Sequence, residues 1–100
     1  MNVIIVGAGQ VGSSIAADLA AAHDVIVIDR DADRVEELNY SLDVLGVTGD
    51  GTTMDTLEEA GIVEADMVIA STDNDETNIV ISSTAKAVSD AFTIARVKDT

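Results

Sequence analysis

Hydrophobic residues in this chain fall into short runs that alternate with segments of helical periodicity. The runs are almost continuously apolar and of strand length, as expected for strands covered on both faces. They predict strands over residues 2–6, 24–29, 43–48, 66–71 and 92–97. Apolar residues at helical spacing predict helices over residues 10–22, 31–40, 54–60 and 75–88. This alternation is typical of βαβ units and predicts a doubly wound α/β fold.

The connections also predict the order of the strands. Right-handed crossovers and the usual winding give a Rossmann-like parallel sheet of five strands in the order 3-2-1-4-5, with helices on both faces. Strands one and four are then neighbours where the winding reverses. Ligands of such sheets bind outside the carboxyl ends of these strands, so the loop after strand one should face the loop after strand four.

The segment GAGQVG, residues 7–12, follows the first strand and has the complete G-x-G-x-x-G spacing. Gly7 permits a tight turn, Gly9 lets a pyrophosphate approach the backbone, and Gly12 lets the helix pack close to the sheet. The start of that helix offers unpaired N–H groups to a phosphate. A close-packed turn without a ligand is the alternative, but the position in a βαβ unit favours a dinucleotide site.

Acidic residues follow the second and third strands. At Asp29 a carboxylate can accept hydrogen bonds from both ribose hydroxyls and repel a 2′-phosphate, which favours NAD over NADP. Asp31 fits the alternative role of helix N-cap better than Asp29 does. Arg30 could accommodate a 2′-phosphate, but beside Asp29 it is better suited to cover the adenine face. Asp50 could accept from the adenine amino group, or only form a turn before a Thr helix cap, and both alternatives stay open.

The segment ASTDNDETN, residues 70–78, forms the loop after strand four. Asp73 and Glu76 have the spacing of a D-x-x-E capping box, so we expect Asp73 to accept from the backbone N–H of Glu76. The loop has no EF-hand spacing, and no metal site is predicted. A Mg²⁺ or Ca²⁺ ion that joins only with a ligand stays open, because acids facing a phosphate would otherwise repel it.

The composition of the chain offers no side chains suited to catalysis at the crevice. The chain has no Cys, which excludes disulfides, thiolate metal sites and a Cys nucleophile. Its only His, His23, is predicted in a turn at the opposite end of the sheet from the crevice. The Ser and Thr residues near the crevice lack a partner base. No catalytic residue is therefore predicted.

The formal net charge of -14 limits the partners that we expect. It opposes nucleic-acid phosphates and anionic lipid surfaces, so we expect neither nucleic-acid binding nor membrane insertion. The acids are spread along the chain, which favours the surface of a halophilic protein over an acidic docking site for a basic partner. The N-terminal apolar run is too short for a signal peptide or a spanning helix, and a cytoplasmic location is expected.

Together the motifs resemble the regulator of K⁺ conductance (RCK, or KTN) nucleotide-binding domains, and among them the TrkA-type subunits of potassium uptake systems. The resemblance rests on VIIVGAGQVG, VIDRD, VTGDGTTMDTLEEAGIVEADMVIASTDNDETNIV and TIARVKD, and it spans nearly the whole chain. It implies a cytoplasmic regulatory subunit that binds NAD(H), or in close relatives ATP and ADP. Such subunits form rings of RCK domains and gate a membrane K⁺ translocating subunit.

The resemblance also implies a set of nucleotide contacts, carried over by position. They are Gly7, Ala8, Gly9, Gln10, Val11, Gly12, Asp29, Arg30, Asp50, Gly51, Thr72, Asp73, Glu76 and Arg96. Thr72, Asp73 and Glu76 would lie near the far phosphate or the nicotinamide. Arg96 would reach the phosphates or a neighbouring subunit.

Residues 1–100 are expected to form one RCK/KTN N-terminal domain. Family members continue past the ARV strand into a further strand and a crossover helix, so the chain is expected to be a fragment of a longer protein. One rival interpretation is the dinucleotide-binding half of a small NAD-dependent dehydrogenase or reductase. A structural module that has lost its ligand is the other. The D-E-T-N block and the lack of a catalytic pair favour the regulatory domain.

Overall fold

A parallel sheet of five strands organises the structure, a computed structural model that describes residues 1–98. Asp99 and Thr100, which end the predicted domain, lie outside the described residues. The strands are β1 (Asn2–Val6), β2 (Asp24–Asp29), β3 (Leu45–Thr48), β4 (Met67–Ala70) and β5 (Phe92–Ala95). Their order, β3-β2-β1-β4-β5, confirms the predicted topology.

Four α-helices and one 3₁₀ helix cover the two faces of the sheet in the described part of the chain. They are α1 (Gln10–Leu19), α2 (Ala32–Ser41), α3 (Met54–Glu59), the 3₁₀ helix Ile62–Glu64, and α4 (Asp75–Val88). Successive side chains of a strand point to opposite faces of the sheet, so alternate residues of the strands pack in two apolar clusters. Ile5 packs in one cluster with Ala16 of α1 and Leu38 of α2. Ile4 packs in the other with residues of α3, the 3₁₀ helix and α4.

The predicted bounds differ from the observed ones mainly where an element ends. Helix α1 stops at Leu19 instead of residue 22, and a turn follows in which the N–H groups of Ala22 and His23 donate to the Leu19 carbonyl. The edge strands β3 and β5 are each two residues shorter than predicted, starting at residue 45 and ending at residue 95. The 3₁₀ helix was not predicted, since three residues are too few to show a helical period.

The loops that follow the strands all leave from one edge of the sheet. The first N–H after β1, that of Gly7, donates to Ile28 of β2 at 2.7 Å. Those of Ser71 after β4 and Arg96 after β5 likewise donate to the neighbouring strand, at 2.8 and 2.9 Å. The residues that follow β1, β4 and β5 are therefore fixed side by side. Among residues 1–98, no helix combines the length and the apolar character that crossing a membrane requires.

Candidate functional site

A cleft of about 590 Å³ opens at this carboxyl edge of the sheet, between the loop after β1 and the loop after β4. It gathers most of the residues singled out in the sequence, from five separate loops. Those that line it are Gly7, Gly9, Gln10, Val11, Asp29, Arg30, Asp50, Gly51, Thr72, Asp73 and Arg96. Ala8 and Gly12 are buried behind it, and Glu76 is exposed on α4.

Two glycines of the segment 7–12, Gly7 in the loop after β1 and Gly12 in α1, are required by the packing of the protein itself. Gly7 has a φ of 110°, which residues with a side chain rarely adopt. A Cβ at Gly7 would also lie 2.9 Å from the backbone nitrogen of Thr72, and one at Gly12 would overlap the Gly7 carbonyl oxygen. These glycines let α1 and the loop after β4 approach the turn.

Gly9 is different, because nothing in the described chain requires a glycine there. Its φ of -73° is open to any residue. A Cβ at Gly9 would meet only the Arg34 Nη1 atom, at 3.8 Å. The missing side chain therefore leaves free space on the cleft side of the backbone.

The start of α1 is the one helix start without a side-chain cap among the four α-helices described. Asp31, Thr53 and Asn74 cap α2, α3 and α4, each accepting a backbone N–H through its side chain, whereas Gly9 at the start of α1 has no side chain that could accept. The first turn of α1 also carries no acidic residue. Its N-terminal N–H groups and the positive end of its dipole are therefore available to an anion.

Asp29 holds the loops after β1 and β2 together at the edge of the cleft. Its Oδ2 accepts from the Ala8 N–H at 2.6 Å, and its Oδ1 accepts from the Asp31 N–H at 2.8 Å. Each carboxylate oxygen has a second lone pair, so the group can still accept from a ligand. Asp31 accepts from the Asp33 N–H at 3.0 Å, which confirms it as the N-cap of α2.

Asp50 forms the turn that precedes α3. Its Oδ1 accepts from the Thr52 hydroxyl at 2.7 Å and from the Thr52 N–H at 2.9 Å. These bonds, the hydroxyl first, lower the pKa of Asp50 below its ordinary 3.8, and the Arg30 guanidinium adds to the effect. Thr53 caps α3, so the predicted turn and Thr cap are both present, and the adenine contact of Asp50 stays a prediction. The Oδ2 atom of Asp50 takes part in neither bond and remains beside the cleft.

The capping box predicted for the loop after β4 is wrong. Asn74, not Asp73, is the N-cap of α4, and its Oδ1 accepts from the Thr77 N–H at 2.8 Å. The physical reason lies in the preceding turn, where the Thr72 hydroxyl accepts from the Asn74 N–H at 3.3 Å and fixes the helix start one residue later. Asp73 is exposed and lines the cleft, and Glu76 lies in the first turn of α4.

Sequence reasoning missed Asn78, a fully buried polar residue on α4. Its Oδ1 accepts from the Thr72 N–H at 2.9 Å and from the Thr72 hydroxyl. Its Nδ2 donates to the carbonyls of Thr72, at 3.0 Å, and Arg96, at 2.8 Å. The available signal was an amide on the same helix face as Ile81 and Ala85, where an apolar residue is expected.

All three arginines of the chain, Arg30, Arg34 and Arg96, line the cleft, whereas neither lysine does. Arg34 was missed in the sequence, although it lies one turn into α2 and so near the carboxyl edge. Its Nε atom is 3.8 Å from Asp31 Oδ2, and its side chain is 57% exposed. The cleft thus concentrates the cations of a chain whose net charge is -14.

Other groups in the described residues suggest no catalytic or metal centre. His23 lies at the amino edge of the sheet, with its Nδ1 atom 3.5 Å from the amino group of Met1. Over residues 1–98, no three His, Cys, Asp or Glu side chains are grouped so that they could hold a metal ion. The buried Ser71 hydroxyl donates to the Val6 carbonyl at 3.2 Å, in a structural contact between β4 and β1.

The strand order, the glycine loop and the cleft at the switch point define a Rossmann-like α/β domain of the dinucleotide-binding type. Within this class, the family model described as the TrkA-N domain matches residues 3–100. The chain belongs to the TrkA-N domain family. The resemblance to TrkA-type subunits is thereby confirmed.

Curated relatives share this domain as one part of a longer chain. A Trk system potassium uptake protein TrkA homolog from Archaeoglobus fulgidus is 40% identical over 99 residues, covering 99% of this chain and 22% of the relative. The Trk system potassium uptake protein TrkA from Halomonas elongata is 44% identical over 102 residues, covering 100% of this chain and 22% of the relative. The chain therefore spans about a fifth of the length of these relatives.

A solved structure shows the same architecture. The TrkA-N domain of the inner membrane protein ybaL from Escherichia coli superposes with a TM-score of 0.84 at 26% identity. The match covers 93% of this chain and 69% of that chain. The fold derived from the strand pattern is thus the fold of another TrkA-N domain.

Proposed function

We propose that this chain is the nucleotide-sensing domain of a K⁺ transport system. In this proposal it binds NAD(H), or an adenine nucleotide such as ATP or ADP, and does not turn it over. It would act on the cytoplasmic side of the membrane, in a ring of like subunits, and gate a membrane K⁺ translocating subunit. Membership of the TrkA-N family and relatives named as potassium uptake proteins support this role.

The observation that carries nucleotide binding is the free space at Gly9. A glycine there gives the protein no packing advantage, since a Cβ would meet only Arg34 Nη1 at 3.8 Å. It does let a phosphate reach the backbone at the uncapped start of α1. The residues present therefore fit a pyrophosphate.

The other residues of the cleft are suited to the rest of a dinucleotide. Asp29 keeps lone pairs for ribose hydroxyls, and Asp50 keeps its Oδ2 for the adenine amino group. Arg30 lies beside Asp50 and can cover the adenine face. Gln10, Val11 and Gly51 complete the lining at the phosphate loop and beside Asp50.

The remaining charged residues suit the phosphates and the far end of the ligand. Arg34 and Arg96 line the cleft and can neutralise phosphate charge. Thr72 and Asp73 lie on the opposite wall, in the loop after β4, where the second phosphate or the nicotinamide would be placed. Glu76 is exposed one turn further on, and we propose only an indirect role for it.

Binding without turnover agrees with the chemistry of the lining. A dehydrogenase needs a proton donor or acceptor near the nicotinamide, and His, Lys and Tyr are among the side chains that can serve. Among the described lining residues of the cleft none is of these types. The acids of the lining are Asp29, Asp50 and Asp73, and the first two already accept hydrogen bonds within the protein.

Isothermal titration calorimetry in high salt tests this proposal with NADH, NAD, ATP, ADP and NADPH. We expect saturable binding of one or more of the first four ligands and weaker binding of NADPH, which Asp29 should repel. Asp29→Asn removes the charge but keeps the shape, and it should narrow the difference between NADH and NADPH. No saturable binding of any of these ligands would overturn the proposal, and so would NADH oxidation on addition of small carbonyl substrates.

A further inference from the structure

Asn78 connects two loops that both contribute to the cleft. It is 0% exposed, and its amide uses both acceptor positions and both donor positions. Three of these bonds go to Thr72, in the loop after β4, and the fourth goes to the Arg96 carbonyl, directly after β5. Thr72 and Arg96 line the cleft, whereas Asn78 lies behind them.

A second contact ties the same two parts of the chain together. The Asp75 Oδ1 atom, in the first turn of α4, accepts from the Lys98 N–H at 3.0 Å. The Arg96 N–H donates to Ala70, the last residue of β4, at 2.9 Å. Residues 96–98 are therefore held by the end of β4 and the start of α4.

The choice of an amide at this position needs an explanation beyond packing. Ile81 and Ala85 lie on the same buried face of α4, and an apolar side chain would be the usual occupant there. A buried amide is unfavourable unless all its hydrogen bonds are made. Asn78 makes them by joining the main chain of Thr72 to that of Arg96, which an apolar residue could not do.

We propose that Asn78 is a positioning residue that makes the loop after β4 and the segment after β5 respond as one unit to a bound nucleotide. It holds the main chain of Arg96 so that the guanidinium faces the cleft. When a bound ligand orders Thr72, Asn78 also orders residues 96–98. This inference rests on the proposed function and adds the route by which an occupied cleft affects the chain beyond β5.

A double-mutant cycle separates this role from a general effect on folding. NADH affinity is measured by calorimetry for wild type, Asn78→Ala, Arg96→Ala and the double variant, each checked for a cooperative thermal transition. We expect each single change to weaken binding about tenfold, the scale of one charge-assisted hydrogen bond. If Asn78 acts through Arg96, the double variant should be weakened by little more than Arg96→Ala alone. If the affinity of the double variant for NADH is weakened about a hundredfold, which is the product of the two single losses, the proposal is overturned.

Hydrogen exchange of the wild-type chain tests the same inference without any substitution, should Asn78→Ala fail to fold. Saturating NADH should slow amide exchange both at residues 72–78 and at residues 96–98. Protection of residues 72–78 with unchanged exchange at residues 96–98 would overturn the link through Asn78. If wild type binds no nucleotide, the proposed function fails as well. If wild type binds NADH but the two losses of affinity multiply in the double variant, only this inference fails and the proposed function stands.

Discussion

The three glycines of the segment 7–12 have two different physical roles, although the sequence motif treats them alike. Gly7 and Gly12 allow the turn, α1 and the loop after β4 to approach one another. Gly9 is the N-cap of α1 and has open space where its side chain would be. Substitutions at Gly9 and Gly12 should therefore have opposite effects on stability.

We expect Gly9→Ser to leave the free energy of unfolding unchanged or to raise it by a few tenths of a kcal/mol. A Ser at an N-cap accepts a backbone N–H, which glycine cannot do. Gly12→Ser should cost about 2 kcal/mol or more, because its Cβ would overlap the Gly7 carbonyl oxygen. Urea denaturation of both variants measures the difference. Equal losses at the two positions would contradict the packing described for Gly9.

The stability that Asp50 contributes should depend on pH, and the Thr52 hydroxyl is the first cause of its lowered pKa. Because its folded pKa is lowered below 3.8, its contribution to stability is complete above that pH and is lost as the pH falls through the folded pKa. Thr52→Val removes the hydroxyl bond and should move the pKa of Asp50 upward, whereas Thr52→Ser should keep it low. NMR titration of the carboxyl carbon measures both variants. The same pKa in Thr52→Val and Thr52→Ser would contradict the assigned cause.

Site residues could be predicted from the sequence where the backbone motif fixes their place. Gly7 and Gly9 follow a strand at fixed spacing, and Asp29 ends the next strand, so their common edge follows from the topology alone. Arg34 and Asn78 were missed because their roles depend on how α2 and α4 are rotated against the sheet. That rotation is set by tertiary packing, which a single sequence states only indirectly.

Among the elements, the start of α4 shows how two local signals can compete. Asp73 with Glu76 predicted a capping box, but Asn74 with Thr77 has the same spacing of an N-cap and its third helical residue, which the prediction overlooked. The structure selects Asn74, because the Thr72 hydroxyl fixes the turn before it. A local rule therefore predicted the helix but not which residue caps it.

The two candidate caps can be separated by paired substitutions. Asn74→Ala should lower the free energy of unfolding by about 1 kcal/mol, because the Thr77 N–H loses its acceptor. Asp73→Ala should change it by less than about 0.5 kcal/mol, as expected for an exposed residue outside the cap. Urea denaturation of both variants gives the comparison. A larger loss for Asp73→Ala than for Asn74→Ala would restore the capping box predicted from the sequence.

The predicted bounds hold for three elements, whereas the internal strand β4 and the edge strands β3 and β5 are each two residues shorter than predicted. Strands β1 and β2 and helix α4 have the predicted bounds, because each is delimited by turn residues or caps. The edge strands β3 and β5 end inside longer apolar runs. In β5, Phe92 is 64% exposed and Ile94 is 43% exposed, so these apolar residues do not mark burial within the described chain. The end of an edge strand depends on its single neighbouring strand. A run of apolar residues in the sequence does not show that dependence.

For the molecule as a whole, charge is distributed unevenly. The net charge is -14, yet every arginine lines the cleft. The remaining surface is strongly acidic and repels itself at low ionic strength, which destabilises the compact state. In the cleft, the three arginines are balanced by Asp29, Asp50 and Asp73. The stability of the whole fold should therefore depend on salt.

Raising KCl from 0.1 M to 1 M should stabilise the domain, because the screening length falls from about 10 Å to about 3 Å. We expect a gain of about 1 kcal/mol or more, which for a chain of this size corresponds to a rise in Tm of about 4–8 °C. Thermal unfolding followed by circular dichroism measures it. Replacing the exposed Glu36 and Glu37 with Gln should reduce the gain. A Tm that does not change with salt would contradict self-repulsion as the main effect of the charge.

In the proposed function, the cleft over Gly9 binds the phosphates of a nucleotide. Calorimetric titration of wild type and Gly9→Ser with NADH, in high salt, measures this binding. A Ser side chain would fill the free space and occupy the N–H groups at the start of α1 while leaving the fold intact. We predict saturable binding to one site in wild type and an affinity at least about tenfold weaker in Gly9→Ser, the scale of one lost charge-assisted hydrogen bond. No binding by wild type, or equal affinity in the two proteins, would contradict the account.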